Sequence, residues 1–189
     1  MKPLLRFENV TLRRGGRRLF EGLNLTLEPG EALHVAGPNG SGKTSLIRLA
    51  AGLLRAEAGR IERAAPALCD EALALDRELP LGRALGFWAR LGGTSDKLRG
   101  AIEAMGLAAL ADVPVRLLSS GQAKRASLAR VAASGAQLWL LDEPLNGLDG
   151  DGVERLGALV ASHRASGGAL VAASHAPLAG DWARLDLGQ

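Results

Sequence analysis

The alternation of apolar and polar residues changes character along the chain, and each change predicts a different kind of element. Near the beginning, such residues alternate over Leu5–Val10 and again over Leu23–Leu27, with the arginine- and glycine-rich stretch Arg13–Arg18 between them. A period of two is typical of strands that bury one face, and a polar Gly-containing stretch favours a turn. We therefore predict a small antiparallel sheet in this part of the chain.

The next part of the pattern predicts a strand, a glycine-rich loop and a helix in succession. Glu31–Ala36 is short and mostly apolar, whereas Ser45–Leu54 carries apolar residues at helical spacing. Ala56–Pro66 is a polar connection, within which Arg60–Arg63 predicts one more strand.

Residues 69–134 have a different pattern, because Ala, Leu and Arg recur there at a helical period. Leu81–Leu91 and Asp96–Met105 are predicted helices, and the glycines Gly92 and Gly93 separate them. We expect a helical subdomain inserted in the core.

Helices and fully apolar strands alternate in the last third of the chain. Gln122–Ser134 and Asp151–Ser166 are predicted helices, and Ala136–Leu141 and Ala169–Ala173 are predicted strands. Strands that are apolar on both faces are typical of a parallel sheet covered by helices. The predicted fold class is therefore α/β, with a mostly parallel, doubly wound core.

Composition limits the classes of function. A chain of 189 residues is long enough for one domain with its own core, so we expect a single domain over residues 1–189. Its net charge of +3 comes from arginines spread along the chain, without the basic block and interleaved aromatic residues of a nucleic-acid surface. We expect no nucleic-acid partner.

The compartment is predicted from cysteine content and apolar runs. Cys69 is the only cysteine, which excludes an intrachain disulfide and favours a reducing cytoplasm. Met1–Glu8 has no sustained apolar run, and no segment approaches the roughly 20 apolar residues that span a bilayer. If the protein acts at a membrane, we expect it to do so through a partner protein.

The stretch Gly37–Thr44 fits the phosphate-loop pattern G-x-x-x-x-G-K-[ST] at every fixed position, between the predicted strand and helix. Its glycines let backbone N–H groups point at phosphate oxygens, while Lys43 adds a positive charge and Thr44 a hydroxyl for Mg²⁺. This context disfavours an ordinary Gly-rich turn. The predicted nucleotide ligands are Gly37, Pro38, Asn39, Gly40, Ser41, Gly42, Lys43, Thr44 and Ser45.

An apolar strand further along the chain ends in two acids, Asp142 and Glu143. Open α/β sheets bind ligands at the carboxyl ends of their strands. We predict that Asp142 holds Mg²⁺ together with Thr44, and that Glu143 orients the attacking water or accepts its proton. The alternative, that these acids only cap the next turn, is disfavoured by the phosphate loop.

Three more motifs follow along the chain. Leu118–Gln122 combines serine and glycine with a helix N-terminus, which makes a second anion-binding surface. Leu145–Asp149 follows the acidic strand, and Ser174 and His175 follow the last predicted strand. In this order the chain resembles the ABC-type ATPases from end to end. That resemblance implies a P-loop nucleotide-binding domain that uses ATP and Mg²⁺.

The resemblance also implies partners. Two such domains pair head to tail in the family, so a second copy of this chain is expected to complete the nucleotide site. Ser119 and Gly121 would then contact the γ-phosphate bound to the neighbouring chain, and Asp149 would link the two sites. The expected nucleotide-binding residues of this signature are Ser119, Ser120, Gly121 and Gln122.

The three histidines are expected to differ in role. The resemblance implies that His175 contacts the γ-phosphate beside Glu143, although by itself a histidine before Ala-Pro is more often a loop residue without chemistry. We expect His34 and His163 to be structural.

The chain departs from the family at several positions. Many ABC proteins stack adenine on an aromatic residue near the position of Arg14, and this chain contains no tyrosine. A guanidinium can stack on a base instead, so Arg14 is the expected base contact, base selectivity is expected to be weak, and GTP use stays open. The usual glutamine is absent near Asp70; we assign its role to Glu71, with a solvated acidic turn as the alternative. Ser120 replaces a glycine, a small-for-small change that we expect to be tolerated.

Within the ABC proteins, the chain resembles the ATP-binding subunit of the haem exporter of bacterial cytochrome c biogenesis, the CcmA family. The segments that carry this resemblance are Arg14–Leu23, Gly30–Leu33, Gly37–Arg55, Leu85–Gly93 and Ala136–Pro144. Phe87, Trp88 and Trp139 discriminate best.

This resemblance implies an ATPase at the cytoplasmic face of the inner membrane, bound peripherally to membrane-spanning transporter subunits. It would power haem export or the release of a haem–chaperone complex. Two alternatives stay open. One is an exporter subunit for another cargo, which would share every catalytic residue. The other is a soluble ABC ATPase of translation or DNA repair, which the short chain disfavours.

Overall fold

The computed structural model describes residues 2–188, which divide into two compact units. The first unit contains the chain up to Leu68, Gln137–Pro144 and the chain from His163 onward, and the second contains Cys69–Ala136 and Leu145–Ser162. The predicted helical subdomain, residues 69–134, falls within the second unit. The organisation of residues 1–189 as one domain stays a prediction.

The elements are numbered in chain order. The strands are β1 (Leu5–Arg14), β2 (Arg17–Leu27), β3 (Ala32–Ala36), β4 (Ala58–Arg63), β5 (Pro66–Cys69), β6 (Leu138–Asp142), β7 (Ala169–Ala173) and β8 (Ala183–Asp186). The helices are α1 (Lys43–Ala51), α2 (Leu81–Leu91), α3 (Leu98–Ala104), α4 (Ser120–Ala133) and α5 (Gly150–Ala165). Short 3-10 helices lie at Ser95–Lys97, Ala108–Leu110 and Val115–Leu117.

The N-terminal sheet is antiparallel, with strand order β2-β1-β4. Its first hairpin differs from the expectation of a turn over Arg13–Arg18, because the strands continue to Arg14 and resume at Arg17. Only Gly15 and Gly16 form the turn, with φ values of 55° and 76°. Two successive positive φ angles suit the tight turn that right-twisted strands need, and glycine adopts them without a steric penalty.

The second sheet has the order β5-β6-β7-β3-β8, and β3 pairs in parallel with both β7 and β8. Every residue of β3, β6 and β7 is buried. Helix α1 packs fully buried Leu46, Ile47 and Leu49 into the same core, and each such side chain stabilises the fold by about 2 kcal/mol. The predicted α/β fold with a parallel core is confirmed.

Parallel pairing brings several loops to one edge of this sheet. Asp142 at the end of β6 pairs with Ala173 at the end of β7, and Val35 near the end of β3 pairs with the same residue. The residues that directly follow these three strands therefore emerge side by side. Open α/β sheets bind their ligands at this kind of edge.

The second unit is built mainly from helices. Ala89, Ala101 and Ala133 from α2, α3 and α4 form a small buried cluster, where small side chains let the helices approach closely. The guanidinium of Arg130 lies 5.1 Å from the ring centre of Trp88, and burial lowers the pKa of Arg130. The helix predicted over Asp96–Met105 is interrupted: a 3-10 turn precedes the shorter α3.

Within residues 2–188, no helix has both the length and the apolar character needed to cross a membrane.

Candidate nucleotide site

The phosphate loop connects β3 to α1, and its backbone requires glycine. Gly37, Gly40 and Gly42 have φ values of 143°, 79° and 106°. A Cβ on Gly37 would lie 2.4 Å from the Leu187 carbonyl oxygen, so no other residue fits. Gly42 caps α1 without any side-chain hydrogen bond, which leaves the first N–H groups of the helix available to an anion.

Lys43 lies inside this loop. Its side chain is largely buried, and Nζ donates hydrogen bonds to the carbonyl oxygens of Gly37 at 2.8 Å and Pro38 at 3.3 Å. Nearby, the buried Ser41 Oγ has no hydrogen-bond partner among the described residues. A buried polar atom without a partner is costly. Phosphate oxygens would satisfy this hydroxyl and attract the ammonium, so the loop fits a polyphosphate.

The two predicted magnesium ligands meet at the edge of the sheet. Thr44 Oγ1 donates a hydrogen bond to Asp142 Oδ1 at 3.2 Å, and the side chain of Asp142 is buried. Among residues 2–188, no group of three or more His, Cys, Asp or Glu residues could hold a metal ion. A hydroxyl and one carboxylate suit Mg²⁺, which takes its other ligands from phosphate oxygens and water in such sites.

Glu143 and His175 form the second pair at this edge. His175 Nδ1 lies 2.9 Å from Glu143 Oε2, a hydrogen bond that Nδ1 donates in the tautomer protonated there. Glu143 has a φ of 45°, unusual for a residue with a side chain, and its N–H donates to the Ala173 carbonyl oxygen at 2.8 Å. A strained conformation of this kind costs about 1–3 kcal/mol and is common at functional sites.

Ser174, which the sequence analysis named in one motif with His175, supports that histidine. Ser174 is fully buried and follows β7, and its Oγ accepts a hydrogen bond from the Ala176 N–H at 3.1 Å. Its carbonyl oxygen lies 3.0 Å from His34 Nε2. Both bonds fix the backbone on either side of His175. The motif pointed to Ser174 but not to these two hydrogen bonds, which depend on the tertiary packing beside the strand end.

Arg14 lies close to the phosphate loop. Its Nη1 is 3.5 Å from the Oγ of Ser45, the residue that follows the predicted magnesium ligand Thr44. The same hairpin also approaches the loop at Leu19, since a Cβ on Gly42 would lie 3.3 Å from Leu19 Cβ. The predicted base contact is therefore directed toward the start of α1.

The signature residues belong to the second unit. Ser119 caps α4 and forms a capping box with Gln122: its Oγ accepts the Gln122 N–H at 3.3 Å, and its own N–H donates to Gln122 Oε1 at 2.9 Å. A Cβ on Gly121 would lie 2.8 Å from the Gly147 carbonyl oxygen. Ser119 and Ser120 are exposed. Only a small residue fits at the third position of this surface.

The remaining predicted residues make local contacts. Asp149 Oδ1 accepts a hydrogen bond from the Gly152 N–H at 2.8 Å near the start of α5. Asp70 Oδ1 accepts the Ala72 N–H at 3.1 Å, which forms an Asx turn, and Glu71 is exposed. The role of the glutamine that we assign to Glu71 stays a prediction.

The other two histidines contact the protein itself. His34 is buried beside the backbone of the strand end, as described. The ring of His163 stacks on Trp139 with the ring centres 3.7 Å apart, and its Nε2 lies 3.2 Å from the Gln137 carbonyl oxygen. These contacts are consistent with structural roles for His34 and His163.

Comparison with known proteins identifies the family. A family model described as "ABC transporter" matches residues 20–146. A cytochrome c biogenesis ATP-binding export protein CcmA from Sphingopyxis alaskensis is 56% identical over 184 residues, which cover 95% of this chain and 93% of the relative. The chain belongs to the CcmA family of ABC proteins. A CcmA protein from Novosphingobium aromaticivorans is 57% identical, over 90% of this chain and 88% of the relative.

Solved structures agree with the CcmA assignment at the level of fold. An ABC transporter ATP-binding protein from Pyrococcus furiosus superposes with a TM-score of 0.85 at 21% identity, covering 97% of this chain and 96% of its own. The protein cbiO1 from Clostridium perfringens gives a TM-score of 0.76 at 24% identity, covering 93% and 80%. Membership in the CcmA family makes this chain an ATP-binding, ATP-hydrolysing subunit of an ABC transporter.

Proposed function

We propose that this chain hydrolyses ATP at the edge formed by its phosphate loop, and that hydrolysis powers haem export or haem–chaperone release in cytochrome c biogenesis. The main support for ATP hydrolysis at this edge is the hydrogen bond between Glu143 and His175 at 2.9 Å. It lies next to the hydrogen bond between Asp142 and Thr44 at 3.2 Å. A water-activating carboxylate and a metal-binding carboxylate thus occupy consecutive positions after one strand.

The phosphate loop binds and neutralises the polyphosphate in this proposal. Lys43 exchanges its carbonyl contacts for phosphate oxygens, and the uncapped N-terminus of α1 supplies N–H donors. Thr44 and Asp142 would hold Mg²⁺, which supplies positive charge to the phosphate oxygens during phosphoryl transfer. The Ser41 hydroxyl, buried without a partner among residues 2–188, donates a hydrogen bond to a phosphate oxygen of the same group.

Glu143 acts on the attacking water. The water oxygen forms a bond to the γ-phosphorus, the bond from that phosphorus to the ADP oxygen breaks, and the proton of the water passes to the Glu143 carboxylate. His175 holds this carboxylate in place through Nδ1. We expect His175 to contact the γ-phosphate as well. The strained backbone of Glu143 fixes the direction of the side chain.

The proposal includes a second copy of the chain. Ser119 and Ser120 are exposed at the N-terminus of α4, so their hydroxyl and N–H groups can meet an anion that another protein presents. We expect them, with Gly121 and Gln122, to cover ATP bound by the partner copy. Asp149 would lie between the two sites in such a head-to-tail pair.

The cargo and location come from the relatives. Those proteins are named as cytochrome c biogenesis ATP-binding export proteins, and high identity across most of both chains supports the same task here. We propose that the chain binds membrane-spanning subunits at the cytoplasmic face of the inner membrane. An exporter of another cargo is the second candidate, since it would use the same catalytic residues.

Two measurements test the proposal. Purified protein should release phosphate from ATP only when Mg²⁺ is present, and Asp142→Asn should remove the metal dependence together with most of the rate. A pull-down from solubilised host membranes should recover haem-handling membrane subunits, with haem absorbance in the eluate. Recovery of an unrelated permease would keep the ATPase and contradict the cargo, whereas no hydrolysis in the presence of those subunits would contradict the ATPase itself.

A further inference from the structure

The hairpin of β1 and β2 places two arginines directly opposite each other. Arg14 and Arg17 flank the two-residue Gly15-Gly16 turn and are partners in the strand register. Residues paired in this way extend from the same face of the sheet, with Cβ atoms about 5 Å apart, and like charges in such pairs destabilise the hairpin.

The neighbouring pair in the same ladder is arranged differently. Arg13 and Arg18 also oppose each other, yet Arg13 pairs with Glu57 at 3.4 Å and Arg18 pairs with Glu21. By contrast, neither Arg14 nor Arg17 forms an ion pair with any residue between 2 and 188. Two like charges are thus left without carboxylate partners on one face of the turn.

That face is the one directed at the phosphate loop. Arg14 Nη1 lies 3.5 Å from Ser45 Oγ in the first turn of α1, and Leu19, two residues after Arg17 and on the same face, lies against Gly42. The contact at the start of α1 puts the guanidinium where the helix N-terminus receives phosphate oxygens. Phe7 and Phe20, the aromatic residues of the two strands, pack into the hydrophobic core.

We propose that Arg14 and Arg17 form a second cationic clamp on the polyphosphate of the bound nucleotide, additional to Lys43. This inference rests on the proposed function and deepens it. A polyphosphate relieves the repulsion between the two guanidinium groups and gains charge-assisted hydrogen bonds. Affinity then depends on the number of phosphates far more than on the base, and ATP and GTP bind about equally well.

Calorimetric titration tests this with ATP, GTP and inorganic tripolyphosphate as three separate probes on the full chain. Arg14→Ala should weaken all three by the same factor of about tenfold, which corresponds to about 1.4 kcal/mol. Arg17→Ala should weaken all three by a smaller common factor, and Arg14→Lys should retain most of the affinity. The matched control is Arg13→Ala, because Arg13 already pairs with Glu57. This variant should bind all three probes like the wild type.

Several outcomes would overturn the clamp. If Arg14→Ala weakens ATP and GTP but leaves tripolyphosphate unchanged, the arginine contacts the base. If Arg14→Ala and Arg17→Ala bind all three probes like the wild type, neither arginine contacts the ligand. Failure of the wild-type protein to bind ATP would overturn the proposed nucleotide site as well, so the two failures are distinguishable. Melting curves of each variant identify any loss of folded protein.

Discussion

The two units present the groups that we expect to bind nucleotide and Mg²⁺ in opposite ways. In the first unit the groups are enclosed: Lys43 is 7% exposed and Asp142 6% exposed, and each bonds to atoms of the same edge. In the second unit Ser119 and Ser120 stand exposed at a helix N-terminus, supported only by the capping box. An enclosed site can bind its ligand within one chain, whereas an exposed helix end is suited to a ligand delivered by another molecule.

The largest loss of ATP binding should come from the enclosed site. Lys43→Ala removes the one ammonium inside the phosphate loop, and ATP affinity should fall about 100-fold, because hydrogen bonds between charged groups contribute about 1.5–3 kcal/mol. Calorimetric titration with ATP and Mg²⁺ measures this loss. Lys124→Ala, in helix α4 of the second unit, serves as the control and should bind like the wild type. Full affinity in Lys43→Ala would contradict the placement of the polyphosphate.

Glu143→Gln should separate binding from hydrolysis. The amide keeps the shape of the side chain but cannot accept the proton of the attacking water, so kcat should fall by about 10²- to 10⁴-fold. Because nucleotide contacts remain, ATP should hold two copies together. Size-exclusion chromatography with light scattering, with ATP and Mg²⁺, measures the dimer.

The control for that experiment is Lys43→Ala combined with Glu143→Gln, which should stay monomeric at an ATP concentration that saturates Glu143→Gln but not the double variant. A Glu143→Gln protein that stays monomeric with ATP, even when the membrane subunits are added, would count against the head-to-tail pair.

A substitution in the exposed surface of the second unit should reduce phosphate release without reducing ATP binding. Gly121→Ala puts a methyl group 2.8 Å from the Gly147 carbonyl oxygen and disturbs the signature loop. ATP binding to one copy should be unchanged, while phosphate release should fall about tenfold, since only the paired state needs this surface. Gly100→Ala is the control, because a Cβ there meets nothing within 4 Å. If Gly121→Ala lost ATP binding and turnover equally, the claim that this surface acts only in the paired state would be wrong.

The smallest effect concerns an ion pair within the second unit. A hydrogen bond from Arg155 at 2.7 Å lowers the pKa of Asp151 below its ordinary value of 3.8. A lowered carboxyl pKa contributes stability above that ordinary value, and the contribution is lost as the pH falls through the lowered pKa. Asp151→Asn should therefore reduce the Tm slightly at pH 7 and hardly at all in strong acid. Thermal melts at several pH values check this; a difference that grows toward low pH would contradict the assignment.

Much of the core was predictable because its strands are apolar on both faces. The predicted strand Ala169–Ala173 matches β7, and the acidic strand is β6 shifted by two residues at its start. Strands β5 and β8 were not predicted. Each has only four residues, and Ala183–Asp186 is mostly exposed, so its place is set by pairing with β3 and not by an apolar pattern.

The candidate site also has a part that the sequence predicts and a part that depends on tertiary pairing. The phosphate loop and the pair of acids follow from fixed spacing, which is a property of sequence. The partnership of Glu143 with His175 depends on β6 and β7 being neighbours, and the opposition of Arg14 and Arg17 depends on a turn of two residues. Strand order and register are set by tertiary pairing, which one sequence does not display.

The full burial of Cys69 has a practical consequence for labelling. Thiol reagents that attack exposed cysteines leave the native chain unmodified, so it already serves as a background for probes. The substitution Ser95→Cys, at an exposed position outside the nucleotide-binding residues, would carry a fluorophore or spin label at a single known position. Distances between two labels, one on each copy, would then report how this chain assembles while it turns over ATP.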